Sequence, residues 1–228
     1  MRSMPQHRTL NHHFFKTWTP EMAYVLGYIA ADGTITMGKR GNQYVEVQSI
    51  DKELPYAVKQ ALGARHAVTF RRRNQRWKTV YRLQIGSKEL VRDLVSLGIT
   101  PQKTHRLPFP FVPNEFLSDF VRGYFDGDGN VLFQRFKRTD RKRGFGKYMR
   151  VLFTSSSHGF LNGLFQSLAI NPGLESGALV REESYSRLRY YRKGDVRKLF
   201  EFLYGNRPTF YLSREFKYFR NALIAMGR

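Results

Sequence analysis

A short segment with the pattern of a helix occurs twice in this chain, and the repeat constrains the fold more than any other feature. The first copy runs from Thr19 to Gly33 and the second from Asn114 to Gly129. Matching positions lie at one constant separation, a little under half of the chain, and they are Gly27 and Gly123, Tyr28 and Tyr124, Asp32 and Asp128, and Gly33 and Gly129. The repeat predicts two halves of similar structure, each built around one such helix.

Both copies carry signals for where a helix begins and ends. Thr19 is a favourable cap residue and is followed by Pro20, which is tolerated at the first helical position. Asn114, another favourable cap residue, opens the second copy. Each copy closes with Asp-Gly, where the glycine can take the left-handed conformation that commonly follows a helix. We therefore predict helices that end at Asp32 and Asp128.

Small residues form a stripe along each predicted helix. Glycine inside a helix costs about 1 kcal/mol relative to alanine, so a glycine repeated at the same mid-helix position needs a structural reason. The small residues recur at every fourth position, which keeps them on one face. They are Ala23, Gly27 and Ala31 in the first copy, and Gly123 and Gly127 in the second. Such a stripe lets two helix backbones approach closely, so we expect the two copies to pack against each other.

The two aspartates at the helix ends are in an unfavourable position unless a cation is present. The C-terminus of a helix carries a partial negative charge, which disfavours an anionic side chain there. Packing the two helices side by side brings Asp32 and Asp128 together and adds repulsion between like charges. A divalent cation that prefers oxygen ligands would remove both penalties. The sequence therefore predicts a metal site formed by these two residues.

The charge of the chain identifies the class of partner. Its 228 residues include 39 Lys and Arg against 18 Asp and Glu, a formal charge of +21 that is shared almost equally by the two halves. Such a charge favours a polyanionic partner. The chain has no cysteine, which excludes disulfides, thiolate zinc sites and cysteine nucleophiles. Neither a membrane span nor a secretory signal is visible, so we expect an intracellular protein of a bacterial cytoplasm or an organelle, not a secreted one.

Segments with alternating polar and apolar residues carry much of the basic charge. They predict antiparallel strands whose Arg, Lys and Gln side chains face a nucleic acid, although an ordinary solvated sheet is the alternative. The predicted strands are 43–49, 66–73, 76–85, 131–137, 148–154 and 186–192. In 76–85, a pleat irregularity near Val80 and Tyr81 would separate the polar side chains from Trp77, Leu83 and Ile85. The candidate nucleic-acid contacts are Gln43, Arg71, Arg72, Arg73, Arg76, Lys78, Arg82 and Gln84 in the first half, and Gln134, Arg135, Lys137, Arg150, Arg187, Arg189 and Arg192 in the second.

The two copies, 25–33 and 121–129, resemble the paired motifs of the LAGLIDADG homing endonucleases in their single-chain form. The resemblance extends to the segments 97–104 and 211–219 and so covers nearly the whole chain. It implies an α+β fold of two pseudo-symmetric αββαββα halves, with the motif helices at the centre and two saddle-shaped antiparallel sheets over a long DNA site. The corresponding division is an N-terminal half at 1–109, a linker at 110–114 and a C-terminal half at 115–228.

The resemblance also implies roles for individual residues. Asp32 and Asp128 would bind the catalytic Mg²⁺ ions, with Mn²⁺ as a substitute and with Ca²⁺ binding without cleavage. Lys103 matches the basic residue that the family keeps near the scissile phosphate. In the second half Arg214 is adjacent to that position, which Glu215 could occupy instead. The polar residues expected at the end of the first strand of each sheet, where they would order water, are Ser49 and Ser155.

The activity that the resemblance implies is Mg²⁺-dependent double-strand cleavage at a long, nearly asymmetric DNA target by a monomer. Intron homing is the associated biological role, and intron RNA is a second candidate partner. Two alternatives with the same fold remain open, an RNA-splicing maturase and a DNA-binding regulator without catalysis. The presence of both Asp32 and Asp128 favours the nuclease, since a regulator that has lost catalysis usually lacks the acidic residues.

Overall fold

The same order of helices and strands occurs twice in the computed structural model, which describes residues 9–38, 41–72, 74–101, 106–137 and 144–227. In the first half the elements are α1 (Pro20–Asp32), β1 (Gly33–Met37), β2 (Gln43–Ser49), α2 (Glu53–Ala61), β3 (Val68–Arg71), β4 (Val80–Gly86) and α3 (Lys88–Ser96). The second half repeats the order with α4 (Leu117–Asp128), β5 (Gly129–Lys137), β6 (Phe145–Ser155), α5 (His158–Ile170), β7 (Ala178–Arg181), β8 (Ser186–Tyr190) and α6 (Lys193–Tyr204). A further helix, α7 (Ser213–Gly227), follows in the second half. The predicted α+β fold of two αββαββα halves is therefore confirmed.

Each half contains one four-stranded antiparallel sheet, and the two sheets have equivalent strand orders. The first, sheet A, has the order β1-β2-β4-β3, and the second, sheet B, has the order β5-β6-β8-β7. Alternate residues of β2 and β4, such as Val45, Val47, Leu83 and Ile85, are buried beneath α2 and α3. In the second half α5, α6 and α7 contact the corresponding side of sheet B. Each sheet thus keeps one face away from its helices.

Helices α1 and α4 pack against each other at the centre of the molecule, as the small-residue stripe predicted. A Cβ atom added to Gly27 would lie 2.0 Å from the backbone oxygen of Phe120. A Cβ atom added to Gly123 would lie 2.0 Å from the backbone oxygen of Tyr24. The two contacts are related by the repeat, and both require a hydrogen atom in place of a side chain. The glycines therefore set the distance between the two halves.

The first motif helix begins where the sequence predicted, whereas the second begins three residues after Asn114. Thr19 caps α1, because its Oγ1 accepts a hydrogen bond from the backbone N–H of Met22 at 3.1 Å. By contrast, α4 begins at Leu117 after a 3-10 turn at Asn114–Phe116. Asn114 therefore does not cap an α-helix directly, because the turn precedes the first α-helical residue.

The prediction that a left-handed glycine follows each motif helix is wrong. Gly33 and Gly129 are extended, with φ of −80° and −87°, and they are the first residues of β1 and β5. The reason for glycine there is close packing. A Cβ atom at Gly33 would lie 2.6 Å from the side chain of Ile29, and one at Gly129 would lie 2.1 Å from the ring of Phe125.

Three of the predicted strands are shorter in the structure, and the one predicted at 66–73 is β3, Val68–Arg71. β4 begins at Val80, so the residues before it lie in the loop that joins β3 to β4. Trp77, which we expected on the buried side, is 57% exposed in this loop. Tyr190 ends β8, so Arg192 lies beyond that strand. Of the helices in the described part of the chain, none has the length and apolar character needed to cross a bilayer.

Candidate catalytic centre and nucleic-acid interface

The two motif aspartates lie at the same end of the central helix pair. Asp32 is the last residue of α1 and is exposed, and Asp128 is the last residue of α4 and is half-buried. The Oδ2 atom of Asp32 is 3.6 Å from the point that a Cβ atom on Gly127 would occupy. Asp32 therefore lies beside the residue that precedes Asp128. The packing of the helices therefore sets the ends of α1 and α4, with their aspartates, side by side.

A tyrosine in each half lies next to this site. The hydroxyl of Tyr28 donates to the backbone oxygen of Gln48 at 3.3 Å, and that of Tyr124 donates to the backbone oxygen of Thr154 at 2.7 Å. Burial raises the pKa of both tyrosines, and the charge of Asp32 raises the pKa of Tyr28 further. The pKa of Tyr124 is raised by both motif aspartates. Both tyrosines therefore stay neutral and tie the motif helices to their sheets.

Ser49 and Ser155 occupy equivalent places next to these tyrosines, but not the places that we expected. They end β2 and β6, which are the second strand of each half and not the first. Each hydroxyl oxygen accepts a hydrogen bond from the backbone two residues further on, at 3.0 Å from Asp51 N–H and at 3.1 Å from Ser157 N–H. The two serines therefore shape the turns that follow the strands.

The donor set fits a hard divalent cation. Asp32 and Asp128 offer carboxylate oxygens, and Mg²⁺ is commonly held by one or two carboxylates together with water and substrate phosphates. Within the ranges that the structure describes, no group of three or more His, Cys, Asp or Glu side chains is arranged to hold a metal. The protein's share of such a site would therefore be the two motif aspartates.

Arg214, a candidate catalytic residue, makes contacts that the sequence did not reveal. It begins the first turn of α7 and pairs across the molecule with Asp51, with Nη2 3.0 Å from Oδ2. Its Nη1 atom is 2.7 Å from Oε1 of the neighbouring Glu215, which is 7% exposed. The hydrogen bond that Arg214 donates to Asp51 raises the pKa of Arg214, while burial raises the pKa of Glu215. The other basic candidate, Lys103, lies outside the described residues.

A polar cluster between the central helices was also missed. The hydroxyl of Tyr24 on α1 donates to Oδ2 of Asp126 on α4 at 2.8 Å, and the backbone N–H of Leu212 donates to the same oxygen at 2.8 Å. Burial raises the pKa of Asp126 to about 7. Arg122 is also buried and donates to the backbone oxygens of Leu203 and Phe210. The only sequence signal was that motif 1 has alanine where motif 2 has Asp126.

The helix-free face of sheet A carries several of the predicted nucleic-acid contacts. Arg82 and Gln84 alternate with the buried Leu83 and Ile85, and both are exposed. Arg71 is exposed at the end of β3. Gln43, in contrast, lies two residues before Val45 in β2, so it is on the same, helix-covered face as Val45 and Val47. The polar neighbour that we did not anticipate is Glu46, which accepts hydrogen bonds from Arg82 and Gln84.

The loop between β3 and β4 holds the remaining candidates of the first half. Arg72 donates to the backbone oxygen of Trp77 at 3.0 Å and so stabilises the loop itself. Arg76 and Lys78 are exposed in the same loop instead of in a strand, and Arg73 lies outside the described residues. Lys78 and Trp77 line a groove on the helix-free face of sheet A.

Sheet B divides its candidates between its two faces. Arg150 alternates with buried core residues, as do Arg187 and Arg189, which places these three on the helix-free face. Gln134 pairs with Tyr148, which has the same alternation as Arg150, so it shares that face. Arg135 and Lys137 have the opposite register in β5. Arg135 lines a groove formed with the end of α7, so these two residues lie on the helix-covered side. The sequence pattern could not assign these residues to a face, because the end of β5 has exposed polar residues on both faces of the sheet.

Comparison with known proteins agrees with this architecture. Residues 19–97 match the model of the LAGLIDADG-like domain family. In a search of solved structures, the chain is similar to the LAGLIDADG meganuclease I-AabMI bound to uncleaved DNA, with 13% identity, a TM-score of 0.64 and 92% of each chain covered. It is also similar to I-SmaMI bound to uncleaved DNA in the presence of calcium ions, with 15% identity, a TM-score of 0.62 and 92% of each chain covered.

A third similar structure is the I-SmaMI homing endonuclease bound to cleaved DNA, with 15% identity and a TM-score of 0.60, covering 92% of this chain and 91% of that one. A comparison with curated protein sequences gave no match. The chain therefore has the two-domain fold of the LAGLIDADG meganucleases. The match of residues 19–97 to the LAGLIDADG-like domain model agrees with the resemblance noted from the sequence.

Proposed function

We propose that this protein is a DNA endonuclease that makes Mg²⁺-dependent double-strand breaks at a long, nearly asymmetric target. The observation that carries the proposal is the pairing of α1 and α4, which places Asp32 beside Gly127 and hence close to Asp128. The solved meganucleases with the same fold were crystallised with uncleaved and with cleaved DNA. Because the two halves of this chain differ in sequence, each half would contact a different half of the target.

Asp32 and Asp128 would hold the divalent cations, with Mn²⁺ as a substitute for Mg²⁺ and with Ca²⁺ supporting binding alone. A cation bound there would supply charge neutralisation at the scissile phosphate and lower the pKa of a water molecule. The protein itself fixes the two carboxylates through the close packing at Gly27 and Gly123. Lys103 and Arg214 are the candidates for stabilising charge at the phosphates of the two strands.

The helix-free faces of the two sheets would bind the DNA. A two-stranded antiparallel ribbon fits the major groove, where Arg and Gln side chains read base edges. The residues that would do so are Arg82 and Gln84 of sheet A and Gln134, Arg150 and Arg189 of sheet B, and their location on the helix-free faces supports the proposal. The charge of +21 would be offset by phosphates, so we also propose that the protein acts as a monomer on DNA inside a cell and takes part in intron homing.

The test is a cleavage assay with Asp32→Asn and Asp128→Asn on DNA selected from a randomised library. We expect either substitution to abolish double-strand cleavage in Mg²⁺ while DNA is still bound at least as tightly, because a negative charge is removed from the interface. Glu201→Gln, which removes a carboxylate from the exposed surface of α6, is the matched control and should cleave like the wild type. Normal double-strand cleavage by either aspartate variant would contradict the proposal.

The same experiment distinguishes the alternatives. Tight DNA binding by the wild type without cleavage in Mg²⁺ or Mn²⁺ would replace the nuclease with a DNA-binding regulator. Binding of intron RNA in preference to DNA would indicate a maturase.

A further inference from the structure

Sheets A and B differ from the rest of the surface in one respect, which is the near absence of acidic residues. In the eight strands that the structure describes, Glu46 is the only Asp or Glu. It lies in the middle of β2, opposite Gln84 of β4 and Thr34 of β1. A carboxylate at this place would repel a phosphate backbone, so its position needs another explanation than general DNA affinity.

The carboxylate of Glu46 is held in a fixed place by its neighbours. Its Oε2 atom accepts a hydrogen bond from Nη2 of Arg82 and another from Nε2 of Gln84 at 3.1 Å. No described residue donates to its other oxygen, Oε1. The Glu46 side chain is 17% exposed, whereas that of Arg82 is 45% exposed. The pair is therefore ordered by side chains of the sheet itself while one carboxylate oxygen is left to accept a further hydrogen bond.

The same residues line a groove on the helix-free face of the sheet. Glu46 and Arg82 form one part of it, and Trp77 and Lys78 of the loop between β3 and β4 form another. The groove thus combines an acceptor, cationic donors and an exposed aromatic ring. These groups match the edge of a base pair more closely than they match a phosphate.

The chemistry of base edges selects the partner of such a pair. In the major groove, cytosine presents the N4 amino group as a hydrogen-bond donor, and a carboxylate accepts from it. Guanine presents two acceptors, O6 and N7, which arginine contacts with two hydrogen bonds. Adenine also presents an amino donor, N6, but its thymine partner offers Arg82 one acceptor, O4, where guanine offers two. Thymine and guanine present acceptors at the place where Glu46 would need a donor. We propose that Glu46 and Arg82 together read one C·G base pair of the target, with the cytosine facing Glu46.

This inference rests on the proposed binding of DNA by the helix-free face of sheet A. It adds that Glu46 makes binding selective at the expense of non-specific affinity, because its charge is favourable only opposite an amino group. A glutamine at this position could donate as well as accept, so it would tolerate acceptors and lose the selection for cytosine.

The experiment compares the wild type with Glu46→Gln in Ca²⁺, by selecting bound DNA from a randomised library and sequencing it. We expect one position of the wild-type site to be enriched in cytosine by about tenfold or more, which is typical of one good side-chain to base contact. In Glu46→Gln the enrichment at that position should disappear, and binding to non-specific DNA should become tighter. Glu89→Gln removes the same charge from α3, where Glu89 pairs with His12, and should keep the wild-type profile.

A second measurement does not depend on the stability of the variant. Replacing the selected cytosine by thymine in the target of the wild-type protein should weaken binding by about tenfold, because an acceptor then faces Glu46. An unchanged profile in folded Glu46→Gln, or no loss with the thymine target, would overturn the inference while leaving the nuclease proposal intact. Failure of the wild type to bind any DNA would overturn both.

Discussion

The two motif helices occupy equivalent positions, yet their buried surfaces differ in polarity. α1 carries Leu26 and Ala30 where α4 carries Arg122 and Asp126. All four residues are buried. The side chains of Leu26 and Ala30 are apolar, while Asp126 accepts hydrogen bonds from Tyr24 and from the backbone of Leu212. The fold therefore preserves the backbone contacts of the repeat strictly and the side-chain chemistry loosely.

One consequence of this difference concerns the segment between α6 and α7 in the second half. The backbone oxygens that Arg122 contacts belong to Leu203, near the end of α6, and to Phe210, in the segment before α7. Asp126 contacts Leu212 in the same segment. Buried polar groups tie this segment to α4, and the segment places Arg214 at the start of α7. The extra helix of the second half is thus held by the positions at which motif 2 departs from motif 1.

The largest effect is expected from alanine at either central glycine. Gly27→Ala and Gly123→Ala should each lower the free energy of unfolding by more than about 3 kcal/mol, because the added methyl group would lie 2.0 Å from a backbone oxygen of the other helix. The gain in helix propensity of about 1 kcal/mol is too small to compensate. Chemical denaturation monitored by circular dichroism gives both values.

Gly194→Ala is the matched control, because nothing lies within 4 Å of its added Cβ atom in α6. It should change stability little. Equal losses for Gly27 and Gly123 would support a symmetric contact, and tolerance of alanine at one of them would show that the backbone contacts differ as the side chains do.

A smaller effect on stability should follow from building a copy of the Tyr24–Asp126 hydrogen bond at the symmetry-equivalent positions of the helix pair. The repeat places Phe120 and Ala30 where the Tyr24 and Asp126 pair lies on the other side of the pseudo-twofold axis. Ala30→Asp should cost about 2–3 kcal/mol, because a carboxyl group would be buried without a donor. Adding Phe120→Tyr should restore part of the loss by about 1 kcal/mol, since it supplies the hydroxyl.

A double-mutant cycle measures this coupling. Phe120→Tyr alone serves as the control and should be slightly destabilising, because its hydroxyl would be buried with no acceptor. Additive losses in the double variant would mean that the two halves are not equivalent at this layer.

The sequence predicted the packing of the two motif helices and the position of β2 well, because both depend on patterns that are visible in the sequence. Glycines repeated at the same mid-helix position predict a close approach of two helix backbones, and the structure shows that approach at Gly27 and Gly123. The alternation in 43–49 likewise predicted β2 with its bounds. Features of this kind depend on local pattern and on one repeat, both of which a single sequence contains.

The side-chain partners were missed for a physical reason. The contact of Arg214 with Asp51 and that of Asp126 with Leu212 join residues that are far apart in the chain. Their polarity alone is compatible with exposure or with burial. Alternation also failed at Arg135, because basic residues occur on both faces of β5 and no apolar side marks the core. Long-range side-chain contacts, and the sheet face on which a basic residue lies, are determined by tertiary packing.

The smallest effect on stability is expected from the ion pair that joins α7 to the first half of the chain. Arg214 is 60% exposed and pairs with Asp51, which follows β2 of the first half. An exposed ion pair contributes about 0.2–1 kcal/mol, so Arg214→Gln and Asp51→Asn should each cost no more than that. The free energy of unfolding of the double variant should be little lower than that of either single variant. The loss should be smaller in high salt, because the charges are screened. A loss well above this range would mean that Arg214 mainly serves the buried Glu215, whose pKa burial raises, and Asp51→Asn would then be milder than Arg214→Gln.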